Sequence, residues 1–156
     1  MNRVPFTAQS TKGSLADELF DFEKLEVYQL ALDFLDHLCD VCRALPGGFR
    51  HPFGNQILRA ALSISNNLAE GTGKRSQKEK ARYYSIAIDS TRECISMLNV
   101  LYRQKHIDVD LHTDLRSSGR RITSMLYKLI QSVVGVPIGA VHGKPYTVNA
   151  KPKELA

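Results

Sequence analysis

Four stretches of this chain repeat apolar residues at alternating steps of three and four, the period of helices that bury one face. In residues 22–45 the pattern occurs twice: Leu25, Tyr28, Leu32, Leu35, Cys39 and Cys42 form one series, and Val27, Ala31, Phe34, Leu38, Val41 and Leu45 the other. Together they cover nearly half the helix circumference, whereas a helix in a simple monomeric bundle needs an arc of about 100° or somewhat more. The surplus predicts a second buried surface and hence self-association. Leu45-Pro46-Gly47-Gly48 should stop this helix, because proline and paired glycines continue one only at a cost.

The second helix is expected over residues 53–70, with Ile57, Ala61, Ile64 and Leu68 as its core stripe and small residues (Ala60, Ser63, Ser65, Ala69) beside it. Asn67 is expected to turn inward and bond a neighbouring loop or helix. The third helix spans 76–104, with Tyr84, Ala87, Thr91, Cys94, Leu98 and Leu101 in step. Its opening, Ser76-Gln77-Lys78-Glu79, has the pattern of a capping box. Asp108 is the expected N-cap of a fourth helix over 109–134, with Leu111, Leu115, Ser118, Ile122, Met125 and Leu129 in step. Gly119 inside it costs about 1 kcal/mol relative to alanine, which close packing against another helix would explain. Four amphipathic helices with short links predict an all-α, up-down-up-down antiparallel four-helix bundle. Residues 1–21 and 135–156, punctuated by Gly and Pro, read as an N-terminal lead-in and an irregular C-terminal tail around a bundle of 22–134.

Charge singles out the link between the second and third helices. The chain carries a formal +5. Residues 22–45 hold two basic and five acidic groups, while residues 50–82 hold seven basic and two acidic. The excess therefore gathers around Gly71-Thr72-Gly73-Lys74-Arg75, read as a glycine-bounded corner, and the helix start that follows. Positive charge at a helix N-terminus opposes the macrodipole. A cluster of this kind attracts polyanions. Arg59, Lys74, Arg75, Lys78 and Arg82 are the candidate nucleic-acid-binding residues, with Lys78 and Arg82 on one helix face. Tyr83 beside them could stack on a base or pack into the core. Glu70 is expected to fix the corner, pairing with Arg59.

Other chemistries find little support. Cys39-x-x-Cys42 lies near a helix C-terminus and in an apolar stripe, and Cys94 is alone, so core packing is expected rather than a metal or redox site. The five histidines share no spacing, and Gly71-Thr72-Gly73-Lys74 lacks the full phosphate-loop pattern. No catalytic residue, metal or cofactor is assigned. No apolar run suggests a membrane span, and three cysteines with no signal-peptide core suggest a cytoplasmic protein.

The residues Gln56-x-x-Arg59-Ala60-Ala61-x-Ser63-Ile64-x-x-Asn67-Leu68-Ala69-Glu70-Gly71, continued by Gly73, Ser76, Tyr84, Ala87, Ser90 and Glu93, resemble those of the four-helix proteins encoded in the intervening sequence of 23S ribosomal RNA genes. Phe22-Glu23-Lys24-Leu25-Glu26-Val27-Tyr28 is similar to that family's opening. Gln56, Ser63, Asn67, Glu70, Gly71, Gly73, Ser76, Ser90 and Glu93 are its structural motif positions. The resemblance implies a homopentameric ring. The same fold serves accessory proteins of diversity-generating retroelements, which bind a reverse transcriptase and nucleic acid. The expectation is a non-enzymatic homo-oligomer that binds RNA or DNA backbone, or a ribonucleoprotein, through its basic corner. The alternative is a protein–protein adaptor with no nucleic-acid contact.

Overall fold

The computed structural model describes residues 18–135. The expected segments 1–21 and 135–156 fall largely outside them. Four helices run α1 (Glu26–Ala44), α2 (Asn55–Gly73), α3 (Gln77–Arg103) and α4 (Val109–Val134). Each packs on its sequence neighbour, and α4 closes on α1, so the bundle is the antiparallel up-down-up-down form. At 1.5 Å per residue, α3 and α4 extend about 40 Å and α1 and α2 about 28 Å.

The bundle begins four residues later than the apolar pattern suggests. Asp21–Lys24 form a 3-10 turn, and Leu25, extended at φ −78° and ψ 123°, precedes α1. The Glu23 carboxylate accepts the Phe20 N–H at 2.8 Å, and Phe22 stacks on Phe20 and meets Tyr28 edge-on. These contacts hold the chain in a tight turn before it enters the helix.

The first helix stops where Leu45-Pro46-Gly47-Gly48 is expected to stop it, with Leu45 as its C-cap, and Gly47 and Gly48 then open the next helical turn. Pro46 is the N-cap, with ψ extended at 151°, and its carbonyl accepts the N–H groups of Phe49 and Arg50 at 2.9 Å each. A helical turn at Gly47–Phe49 and a π-helical stretch at Arg50–Gly54 then lead into α2 without a break. The Arg50 guanidinium donates back to the carbonyls of Arg43 and Leu45, satisfying the open end of α1. At the far end α2 runs on to Gly73 rather than stopping at Glu70. The corner is therefore short: Lys74, Arg75 and the Ser76 cap.

One of the two α1 stripes is the core: Val27, Ala31, Phe34, Leu38, Val41 and Leu45 are all buried. The other stays half-exposed at Tyr28, Leu32, Leu35 and Cys39. The expected stripes of α2 and α3 are buried throughout. In α4 the buried face is Leu115, Gly119, Ile122, Leu126 and Ile130, while Leu111, Ser118, Met125 and Leu129 reach only half-burial. The cause is Gly119, against which Ile95 of α3 packs so closely that an added Cβ would lie 2.7 Å from Ile95 Cδ1. That approach turns α4 so that the glycine, not Ser118, faces inward. Asp108 caps α4, accepting the Leu111 N–H at 2.8 Å.

Candidate nucleic-acid interface

Two helix ends build the corner, and each solves its backbone problem locally. Ser76, extended at φ −79° and ψ 129°, accepts the Glu79 N–H on its hydroxyl at 3.4 Å. This is the forward half of the expected capping box. On the α2 side, Thr72 donates to the Leu68 carbonyl at 2.8 Å and meets the Tyr84 hydroxyl at 3.3 Å. Lys80 reaches back across the corner and donates to the Thr72 carbonyl at 3.1 Å, so this cation serves the end of α2. Lysines near a helix C-terminus favour that contact.

Gly71 allows the helices to meet here. It is buried, and a Cβ in its place would lie 2.9 Å from Tyr83 Cβ and 2.9 Å from Tyr84 Cε1. The close approach brings Tyr83 under the corner. Lys74 Nζ sits 4.7 Å from the Tyr83 ring centroid, and the Arg82 guanidinium carbon lies 5.8 Å from it. Both fall within cation–π range. Tyr83 is half-buried, so the ring is a seat for two cations as well as a packing element.

Arg75, Lys78 and Arg82 are exposed, and Lys74 is half-exposed. The ion pairs among the described residues are Arg43–Asp40, Arg92–Asp89 and Arg121–Glu26, and none takes a cation from the corner. Arg59 does not join this group. It lies fifteen residues before Lys74, about 22 Å along the axis of α2. The expected Arg59–Glu70 pair is likewise not formed, because eleven residues separate them by about 16 Å of helix. Glu70 is exposed near the end of α2.

The remaining motif residues form a second group midway along α2 and α3. The Ser90 and Ser63 hydroxyls share a hydrogen bond at 2.8 Å, and the Ser90 hydroxyl also lies 2.9 Å from the Ile86 carbonyl. Asn67 donates to the Ser63 carbonyl at 2.7 Å and to the Ser63 hydroxyl at 3.0 Å. Asn67 thus bonds within its own helix, not to a neighbour, and reaches α3 only through Ser63. Gln56, Arg59, Ala60, Ser63 and Glu93 line a shallow polar recess of about 450 Å³ beside this seam. Arg59 and Glu93 share it without pairing. Gly73 is exposed with open space around its Cβ position.

The cysteines follow the packing reading. Cys42 and Cys94 are buried, with their sulfurs near the carbonyls of Gly54 (3.8 Å) and Ile57 (3.9 Å). Burial raises the Cys42 thiol above its ordinary value and pushes Cys94 up to about 12. Cys39 is half-buried. Among the described residues, no group of three or more His, Cys, Asp or Glu side chains is arranged to hold a metal ion. Nor is any of the helices long and apolar enough to cross a membrane.

The molecule is an all-α antiparallel four-helix bundle with an unpaired cationic corner between its second and third helices. Residues 23–128 match the family model of the 23S rRNA-intervening sequence protein, and the chain belongs to that family. Among solved structures it is similar to a protein of unknown function from the S23 ribosomal protein family of Bacteroides thetaiotaomicron. The TM-score is 0.63 and the identity 22%, covering 67% of this chain and 98% of the other. At that identity the likeness concerns the fold. No curated protein matches.

Proposed function

We propose that this protein is a non-enzymatic, self-associating, cytoplasmic four-helix bundle that binds the backbone of RNA or DNA, alone or in a ribonucleoprotein. The binding surface is Lys74, Arg75, Lys78 and Arg82. The observation that carries this reading is the absence of any acidic partner for these cations among the described residues. Charges left unneutralised on a rigid helix junction release counterions when a polyanion binds. The start of α3 adds N–H groups directed at the same space. Nothing at the corner offers a base-reading pattern, so binding is backbone-driven and weakly sequence-specific. Seating Lys74 and Arg82 on Tyr83 limits how they move and leaves the ring face less open to a base.

The test is binding of a fluorescent single-stranded RNA at low salt by the wild type and by the variant Lys74→Glu, Arg75→Glu, Lys78→Glu. The expected result is loss of binding in the variant with its helical spectrum intact. Equal binding by the two proteins overturns the reading. The half-exposed stripe Tyr28, Leu32, Leu35 and Cys39 on α1 favours a second reading, an adaptor that meets other proteins, with a reverse transcriptase one candidate because the retroelement accessory proteins of the same fold bind one. A protein partner that survives nuclease treatment, together with no RNA or DNA binding, would select it.

A further inference from the structure

On the side of the bundle away from α1 and α2, the outer surfaces of α3 and α4 enclose an open groove of about 630 Å³. Its floor is Ile95 and Gly119, where the missing side chain lets the helices close up. Its rim carries Arg92, Arg116 and Arg120, and no acidic residue lines it. Arg116 and Arg120 stand one turn apart on α4, about 6 Å between their side-chain origins. Arg116 donates to the Asn99 side-chain oxygen at 2.8 Å, and Arg92 to the Tyr127 hydroxyl at 3.1 Å with Asp89 3.9 Å away. Arg120 is exposed and has no ion pair among the described residues. An apolar floor between cationic rims suits an acidic amphipathic helix, which lays its apolar side down and its carboxylates against the arginines.

The chain itself carries such a helix. On α1 the half-exposed Leu32, Leu35 and Cys39 lie in a strip, and the exposed Asp33, Asp36 and Asp40 line one edge of it. Asp33 and Asp36 take part in no ion pair among the described residues. The strip from Tyr28 to Asp40 is about 18 Å long and the groove from Arg116 to Tyr127 about 16 Å. We propose that α1 of a second copy of this chain docks in the α3–α4 groove, with its aspartates against Arg116, Arg120 and Arg92. The contact is heterologous, so each copy offers one groove and one α1 strip, and a closed ring or an open filament follows from the rotation between copies. This inference rests on the self-association proposed above and adds where the copies meet.

Native mass spectrometry and light scattering of four samples test it. The wild type should assemble well above the 17.5 kDa of one chain. Arg116→Glu with Arg120→Glu places like charges in the contact, as does Asp33→Lys with Asp36→Lys. Each double variant should fall to single-chain mass while keeping its helical circular dichroism, since all four side chains are exposed. In an equimolar mixture, alternating copies bring opposite charges together at every junction of an even ring or filament and at all but one junction of an odd ring, so the mixture should form assemblies larger than one chain that contain both variants. An assembled wild type whose size neither double variant changes overturns the docking inference and leaves self-association standing. A mixture of folded variants that stays dissociated also overturns the docking inference. A wild type that is single-chain at tens of micromolar overturns both. RNA binding at the corner is read separately, on an oligonucleotide too short to reach a second corner, so that assembly does not enter it.

Discussion

An alanine methyl at Gly71 would press on Tyr83 Cβ and the Tyr84 ring at 2.9 Å each, and neither neighbour is a flexible side-chain end. Gly71→Ala should therefore cost about 1–3 kcal/mol, the range for overpacking a filled site. Gly73, two residues on, meets nothing within 4 Å. There the substitution removes a glycine from a helical position, and Gly73→Ala should be neutral or gain up to about 1 kcal/mol. Urea denaturation of the two variants measures both. His112 gives a second test at this scale. Its Nε2 lies 2.9 Å from the Asn99 side-chain oxygen, which also accepts Arg116, and its ring stacks on Tyr102. Burial first, and then the Arg116 charge, lower the imidazole below its ordinary value. A lowered folded-state value means that the unfolded chain takes up the proton more readily. The stability held by neutral His112 is thus complete above the unfolded imidazole range, about 6.5. It is lost as pH falls through the folded value. Thermal melts from neutral to mildly acid pH should show a downward trend in Tm that His112→Gln makes shallower.

The Ser63–Ser90 seam links α2 and α3 through two hydroxyls in a half-buried setting, with Ser90 itself buried. Ser90→Ala leaves Ser63 with Asn67 alone, and should cost about 1 kcal/mol. The Ser63→Ala, Ser90→Ala double-mutant cycle should show a coupling of about 0.5–1 kcal/mol, because each single change already breaks the shared bond. The helices themselves were legible in the chain. Period and capping residues placed α3 and α4 to within a residue of the observed ends, because Ser76 and Asp108 cap as their side chains suggest. The errors lie where tertiary contact outweighs local preference. The stop after Leu45 is where the sequence put it, but Gly47 and Gly48 go on into a helical turn because the Pro46 carbonyl accepts its first N–H groups and Arg50 closes the preceding helix. Gly71 and Gly73 stay helical because the Tyr83–Tyr84 edge and Lys80 support that turn. The buried face of α4 is rotated because Gly119 has a partner, Ile95, that no local pattern names. At the corner, the sequence groups Lys74, Arg75, Lys78 and Arg82 as the structure does, but spacing along a helix removes Arg59 from them. The cation seat on Tyr83 and the diversion of Lys80 to a carbonyl depend on contacts between helices.

For the whole molecule, the number of cations at one corner sets how steeply binding must respond to salt. Lys74, Arg75, Lys78 and Arg82 offer four contacts, and each phosphate neutralised on a single strand contributes about −0.7 to the slope of log K against log salt. One corner should therefore give a slope of about −3 on an oligonucleotide too short to reach a second. If the protein self-associates, a longer strand meets several corners at once. The second contact then becomes intramolecular, and affinity rises without any new chemistry. Fluorescence anisotropy with a short and a long single strand, titrated from about 50 to 300 mM salt, separates the two effects. The expected outcome is a slope near −3 for the short strand, with a steeper slope and tighter binding for the long one. Equal slopes for both strands would mean that a single corner acts alone. A slope near zero for the short strand would mean that these cations do not meet phosphates, and the corner would then need another explanation for charge that no neighbouring acid neutralises.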